Sequence, residues 1–194
     1  STNTNVFNPG KAHISGLEFD GSLRPSPFFR VDFAGAYIKS SLDELNFDIT
    51  PFLANFDTVQ FTAKIGDPLP FTPEFTGNVS ATFTLPVDES LGKIELSATY
   101  RYTAAFNTVA SNGNDAGNAA AALAGLAPVP VDKTTPVKQI DLNLDWRNVG
   151  GQPIDFAIFA SNVTNQTTYN YIQSLYYSFG FDVRYIGQPR MYGA

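Results

Sequence analysis

The stretch Lys93-Ile-Glu-Leu-Ser-Ala-Thr-Tyr-Arg-Tyr-Thr103 decides the fold. Its odd positions, Lys93, Glu95, Ser97, Thr99, Arg101 and Thr103, are all polar. Its even positions, Ile94, Leu96, Ala98, Tyr100 and Tyr102, are all apolar or aromatic. Side chains alternate across a β-strand, so this segment faces water on one side and an apolar medium on the other. Working outward, Gln139–Arg147 repeats the rule, with Gln139, Asp141, Asn143, Asp145 and Arg147 set against Ile140, Leu142, Leu144 and Trp146. Glu74–Leu85 repeats it again, Phe29–Lys39 more softly, and Ala12–Ser22 and Pro153–Val163 more weakly. The chain reads as all-β and antiparallel.

The connections alternate in length. Leu23–Pro27, Pro86–Gly92 and Asn148–Gln152 are short, whereas 40–73, 105–135 and 164–188 are long. Soluble hairpin loops take about two to five residues, so connections this long argue against an ordinary β-sandwich. A transmembrane β-barrel has short periplasmic turns on one rim and long external loops on the other. Strand length agrees, since a tilted membrane strand needs ~9–11 residues against ~5–6 in soluble sheets. With the short turns below, Phe28, Phe29 and Trp146 fall at a lower interface. Tyr37, Phe75, Tyr100 and Tyr102 then fall at an upper one, and aromatic belts mark such interfaces. The expected fold is an up-and-down transmembrane β-barrel wall, about seven strands of it in this chain.

Composition closes off other classes. The 194 residues suit one domain. Lys plus Arg is 12 and Asp plus Glu is 18, a net charge of -6, which leaves no basic face for nucleic acid. There is no cysteine, so disulfides, thiolate metal sites and thiol nucleophiles are excluded. His13 is the single histidine, too few for a His-based metal cluster, and it makes a Ser-His-Asp triad a poor fit. Aromatics at 14 % nearly match the 15 % of charged residues, a balance foreign to disordered chains. No apolar run reaches the ~20 residues of a membrane helix. The opening Ser1-Thr-Asn-Thr-Asn5 has neither the basic nor the apolar region of a signal peptide.

Four stretches carry a family pattern. Lys11-Ala-His-Ile-Ser-Gly-Leu-Glu-Phe-Asp20 contains Ala-x-x-x-Gly-x-Glu, and Thr72-Pro-Glu-Phe-Thr-Gly-Asn78 contains Pro-x-x-x-x-Asn. Phe159-Ala-Ser-Asn-Val-Thr-Asn-Gln-Thr-Thr-Tyr169 is close to Asn-Leu-Thr-Asn-x-x-Tyr, and Gly187-Gln-Pro-Arg-Met-Tyr-Gly193 to Pro-Arg-x-x-Gly. In this order they resemble the C-terminal part of the barrel of TonB-dependent outer-membrane receptors. The resemblance implies a non-enzymatic receptor, free of cofactors, in the cell outer membrane of a Gram-negative bacterium. It would take up a scarce nutrient of the siderophore-iron, cobalamin or glycan class, driven by the TonB complex. Such receptors have about 22 strands, a plug domain, a TonB-binding box and a final aromatic residue. This chain stops at Ala194 and is read as a fragment, with residues 1–194 as one domain of the barrel. Its partners would be outer-membrane lipid, the TonB complex through parts outside this chain, and a small-molecule nutrient.

Candidate ligand contacts lie in the long loops. Asp43, Glu44 and Asp48 suit a cation or cationic substrate, or simply a solvated loop. Tyr169, Tyr171, Tyr176 and Tyr177 suit an aromatic platform for a siderophore or glycan, or an interface girdle. Asp141 and Asp145 share one strand face; an acid/base pair is conceivable there, but a polar row facing the lumen is the plainer reading. Asn78-Val-Ser80, Asn162-Val-Thr164 and Asn165-Gln-Thr167 match the N-glycosylation pattern by chance. A porin-like channel shares every physical feature of the barrel reading. A soluble carbohydrate-binding β-sandwich is the second alternative.

Overall fold

The computed structural model describes residues 10–45, 65–108, 133–174 and 181–194. Seven strands form one antiparallel sheet. They are β1 (Gly10–Ser26), β2 (Phe29–Leu45), β3 (Phe75–Thr84), β4 (Lys93–Thr103), β5 (Val137–Arg147), β6 (Phe156–Ser161) and β9 (Met191–Gly193), in that spatial order. Two more, β7 (Tyr169–Ser174) and β8 (Asp182–Ile186), pair as a separate hairpin. Neighbours in the large sheet follow one another in sequence except where that hairpin intervenes, which is the up-and-down topology expected. The sheet is open, with β1 and β9 as its outer strands.

The register extends the alternation of single strands into continuous rows. Phe29, Phe83, Leu96, Leu144 and Ile158 stand side by side across five strands. So do Val31, Ala81, Ala98, Leu142 and Ala160 above them. Where a row reaches Gly21 or Gly35, the cross-strand ring of Phe33 or Phe19 lies over the glycine and keeps the face filled. Among the described residues nothing covers this apolar face. Val79, Phe83, Leu96, Leu142 and Ile158 are 42–46 % exposed, and Ile172 is the only buried apolar residue among the described ones. A sandwich would bury one face of every strand in a core. The single layer rules that alternative out.

Aromatic rows bound the apolar band. Tyr37, Phe75 and Tyr102 cluster at the upper edge, with the rings of Phe75 and Tyr102 5.9 Å apart. Phe29 and Phe83 face each other at the lower edge across β2 and β3, and Trp146 and Phe156 do so across β5 and β6. Phe83 and Phe156 belong to that girdle although the sequence reading left them out. From Phe29 to Tyr37 is ~27 Å along a strand, or ~19–22 Å of height at a barrel tilt of 35–45°. That is near the ~25 Å apolar band of outer-membrane barrels.

The short-turn rim is tighter than expected at one place. β1 runs on through Pro25 to Ser26, and Pro27-Phe28 alone makes the turn that the sequence assigns to Leu23–Pro27. Pro25 is tolerated because it sits on an outer strand, at a break in register between Leu23 and Ser26. The other two short turns touch each other. Trp146 donates its indole N–H to the Leu91 carbonyl at 2.7 Å, and Asn148 N–H donates to Asp155 at 2.9 Å. Gly92, at φ 87°, packs against the Arg147 and Asn148 carbonyls where a Cβ would collide. Asp88 caps the 3-10 turn Glu89–Leu91 by accepting from Ser90 N–H at 2.9 Å. Its hydrogen bonds from Ser90 hold the Asp88 carboxyl below the usual carboxylate range.

The long-loop rim differs more from expectation. β1 and β2 are 17 residues each and continue well past Tyr37, so residues 40–45 are strand rather than loop. The third long connection, 164–188, holds the β7–β8 hairpin. Asp48 and most of 105–135 fall outside the described residues.

Candidate functional site

Among the described residues, every buried side chain lies on the long-loop side. Asp67, Asn107, Thr108, Thr134, Asn162 and Thr168 join Ile172 there. This interior is mostly polar, built where the bases of the three long connections fold onto one another. The first returns along β2, with Leu42 N–H donating to the Asp67 carbonyl and Leu69 N–H to Ser40 Oγ, at 2.9 and 3.0 Å. Phe71 N–H donates to the Asn107 carbonyl of the second at 2.9 Å. Thr108 Oγ1 donates to the Ile172 carbonyl of the third at 2.6 Å. Hydrogen bonds satisfy the buried Thr108 and Thr134 hydroxyls, as burial requires.

Asn162 is the hub of the seam between β6 and β9. Its Nδ2 donates to the Gln166 and Gln188 carbonyls at 2.9 and 3.1 Å, and its Oδ1 accepts from Gln166 N–H at 2.9 Å. Gln166 in turn donates to the Pro136 carbonyl and accepts from Lys138 N–H. Asn162 and Asn165 have φ of 49° and 53°, a left-handed region that asparagine tolerates better than most residues. The Asn-x-x-Asn spacing of the third sequence motif thus has a physical reason. The turn needs two left-handed residues, and the first must also bolt the approach to β9. The glycosylation-like pattern at Asn162 is a buried structural residue, 2 % exposed.

Four rings join the three loop bases. Phe71 stacks on Tyr171 with centroids 5.8 Å apart and planes 26° from parallel. Phe106 lies 6.1 Å from Phe71, and Tyr185 lies 5.5 Å from Tyr171. Phe71 has φ 58°, costly for a bulky side chain, on the order of 1–3 kcal/mol. Leu69-Pro70-Phe71-Thr72 explains the angle. Proline second and a positive φ third is the pattern of a type II turn, whose third place favours glycine or asparagine.

The candidate residues are placed as follows. Asp43 and Glu44 stand at the upper end of β2, not in a loop, and each already has a side-chain partner. His13 Nδ1 lies 2.7 Å from the Asp43 carboxylate, and Lys11 Nζ lies 2.9 Å from Glu44. Tyr169 has the Arg184 guanidinium 5.3 Å from its ring centre, and Tyr171 joins Phe71 and Tyr185 in the cluster. Asp48, Tyr176 and Tyr177 lie outside the described residues. The reading of the sequence did not single out Phe71, Phe106, Arg184 or Tyr185. For Phe71 a signal existed, since Pro70 marks a turn whose next position wants a small residue.

The polar face carries its own pairs. Arg101 and Asp141 form an ion pair across β4 and β5, and Asp141 also accepts from Asn162 N–H at 2.8 Å. Asp141 therefore links the wall to the rim rather than merely filling a polar row. Glu95 lies 2.9 Å from Lys93 and 3.9 Å from Arg147, and Ser80 and Thr99 hydroxyls meet at 3.0 Å. Among the described residues no three histidine or carboxylate side chains gather as a metal site.

The chain resembles solved receptors in fold. The ferric yersiniabactin uptake receptor FyuA of Yersinia pestis matches with a TM-score of 0.64 at 15 % identity, over 95 % of this chain and 23 % of that one. The ferric preacinetobactin receptor BauA of Acinetobacter baumannii matches at 0.59 and 14 % identity, over 95 % and 22 %. The siderophore receptor PiuA of the same organism matches at 0.61 and 11 % identity, over 93 % and 21 %. The chain thus spans between a fifth and a quarter of each receptor's length. No curated protein matches it. The family model described as TonB dependent receptor-like, beta-barrel, matches residues 1–165, and the chain belongs to that family.

Proposed function

We propose that this chain is wall and rim of an outer-membrane receptor that takes up an iron-bearing siderophore in a Gram-negative bacterium, coupled to TonB. The observation that carries the reading is the two-faced sheet of this family's barrel. An apolar band between aromatic rows suits lipid, and an ion-paired polar face suits a lumen. The short turns would then be periplasmic and the long-loop rim external, where a ligand arrives. The solved receptors of like fold take ferric siderophores by their names, which supports that class ahead of cobalamin or glycans. Residues 1–194 would form one domain from the C-terminal part of the barrel. Tyr169 and Tyr171 are the described candidates on the rim hairpin, while Asp43 and Glu44 would need to leave His13 and Lys11 to meet a ligand.

The test is radioactive-iron uptake by cells deleted for the full receptor gene and then complemented with it. Uptake of ferric siderophore should return with the receptor and vanish when TonB is also deleted. Receptor-dependent uptake that persists without TonB would point instead to a porin-like channel.

A further inference from the structure

We propose that the ring face of Tyr171 is a binding subsite for a planar, oxygen-bearing aromatic group of the ligand, and that Phe71 fills it as a displaceable occupant. The inference rests on the uptake-receptor reading and deepens it. Tyr171 has two ring neighbours, Tyr185 with centroids 5.5 Å apart and Phe71 stacked at 5.8 Å. The two neighbours differ in how they are held. Tyr185 shares the β7–β8 hairpin with Tyr171, paired across it. Next to Tyr171, Ile172 is buried at 2 % exposure with its carbonyl accepting from Thr108, so the hairpin is anchored. Phe71 instead comes from a different loop, is 55 % exposed, and occupies a turn position that disfavours any Cβ.

The turn does not depend on the ring. Phe71 N–H is tied to the Asn107 carbonyl, and Thr72 Oγ1 bonds to Ser40 Oγ and to the Leu69 carbonyl. The backbone therefore stays in place while the Phe71 side chain swings aside by a rotamer change. Stacking asks only for a π-face, so a ligand ring can replace the phenyl group. The hydroxyls of Tyr171 and Tyr185 have no hydrogen-bond partner among the described residues, leaving donors for the oxygens of a phenolate or catecholate. A residue that breaks a local rule without being buried is where function is expected.

The test uses the full-length receptor in detergent. One probe is the iron(III) complex of 2,3-dihydroxybenzoate, which carries rings; the other is a ringless iron(III) trihydroxamate. Phe71→Gly removes the internal competitor and should tighten the ring-bearing probe about three- to tenfold, leaving the ringless one unchanged. Tyr171→Leu should weaken the ring-bearing probe about tenfold or more, and the double variant should behave like Tyr171→Leu. If Phe71→Gly does not give the heat-modifiable folded band, Phe71→Asn replaces it, because asparagine accepts the same φ. Unchanged or weaker binding of the ring-bearing probe in the Phe71 variant, or no binding to either protein, overturns the proposal. The two readings fail separately. Tighter ring binding without cellular iron uptake sinks only the uptake reading, and TonB-dependent uptake without the Phe71 effect sinks only the subsite.

Discussion

Single residues at the rim hold more than their length suggests. Asn162 is buried and satisfies carbonyls from two segments, so Asn162→Ala leaves Gln166 N–H and the Gln188 carbonyl without their partner. Unsatisfied buried groups cost about 1–3 kcal/mol each, and alanine at φ 49° adds strain. Asn162→Gly keeps the backbone angle and loses only the side-chain bonds, so it should be milder. Measured as the heat-modifiable fraction of the full receptor in urea, the expected order is wild type, then glycine, then alanine. Equal stability of all three would remove the hub. Asp88 makes a different prediction at the opposite rim. Its carboxyl titrates below the usual range because Ser90 donates to the charged form. A carboxyl depressed in the folded state contributes stability above its unfolded pKa and loses it as pH falls through the folded one. Protection of the Ser90 amide from hydrogen exchange should therefore drop on acidification below about pH 3.8. Asp88→Asn, which cannot titrate, should abolish that dependence while leaving some protection.

Elements repeat the same logic along whole strands, and β5 tests it. Leu142 stands mid-strand between Ala98 and Ala160 on the apolar face and is 46 % exposed. Arginine there should cost roughly 2–4 kcal/mol if lipid covers it, falling to about 0–1 near an interface. Leu142→Arg should thus lower the folded fraction of the full receptor more than Leu144→Arg, which lies nearer the Trp146 girdle. Asn143→Ser, on the polar face, should change little. Asp141 is no neutral control, because it pairs with Arg101 and caps Asn162 N–H. Equal damage at Leu142 and Leu144 would contradict a lipid-covered face. These strands were legible because two different media impose period two, and the girdles because aromatics concentrate where the media meet. The β7–β8 hairpin was not, since Tyr169-Asn-Tyr-Ile-Gln-Ser174 mixes aromatic and polar residues and its register shifts between Tyr169 and Tyr171. The rim was not legible either. Phe71, Asn107 and Ile172 are far apart in sequence, and a hydrogen bond from one loop base to another leaves no local pattern.

At the scale of the whole chain, the sheet is an unfinished surface. β1 offers a 17-residue outer edge, and on the far side β9 pairs only with Phe159–Ser161 of β6. Unpaired strand edges invite pairing with other chains, and Lys11 and Arg24 are the only lysine and arginine along β1 to discourage it. The apolar face adds a second hazard, since exposed patches much beyond a few hundred Å² drive association in water. A polar rim interior of threonines and asparagines cannot offset both, because its hydrogen bonds contribute only about 0.5–1.5 kcal/mol each. On the proposed function, stability would come from neighbouring strands and from lipid. Residues 1–194 refolded alone should accordingly aggregate or form mixed oligomers without detergent, as read by light scattering after gel filtration. In detergent micelles they should gain β-sheet circular dichroism yet melt without the sharp cooperative transition of a closed barrel. A monodisperse soluble monomer with a cooperative melt would mean that the apolar face finds cover within this chain, and the lipid assignment of Val79, Leu96 and Leu142 would fall with it.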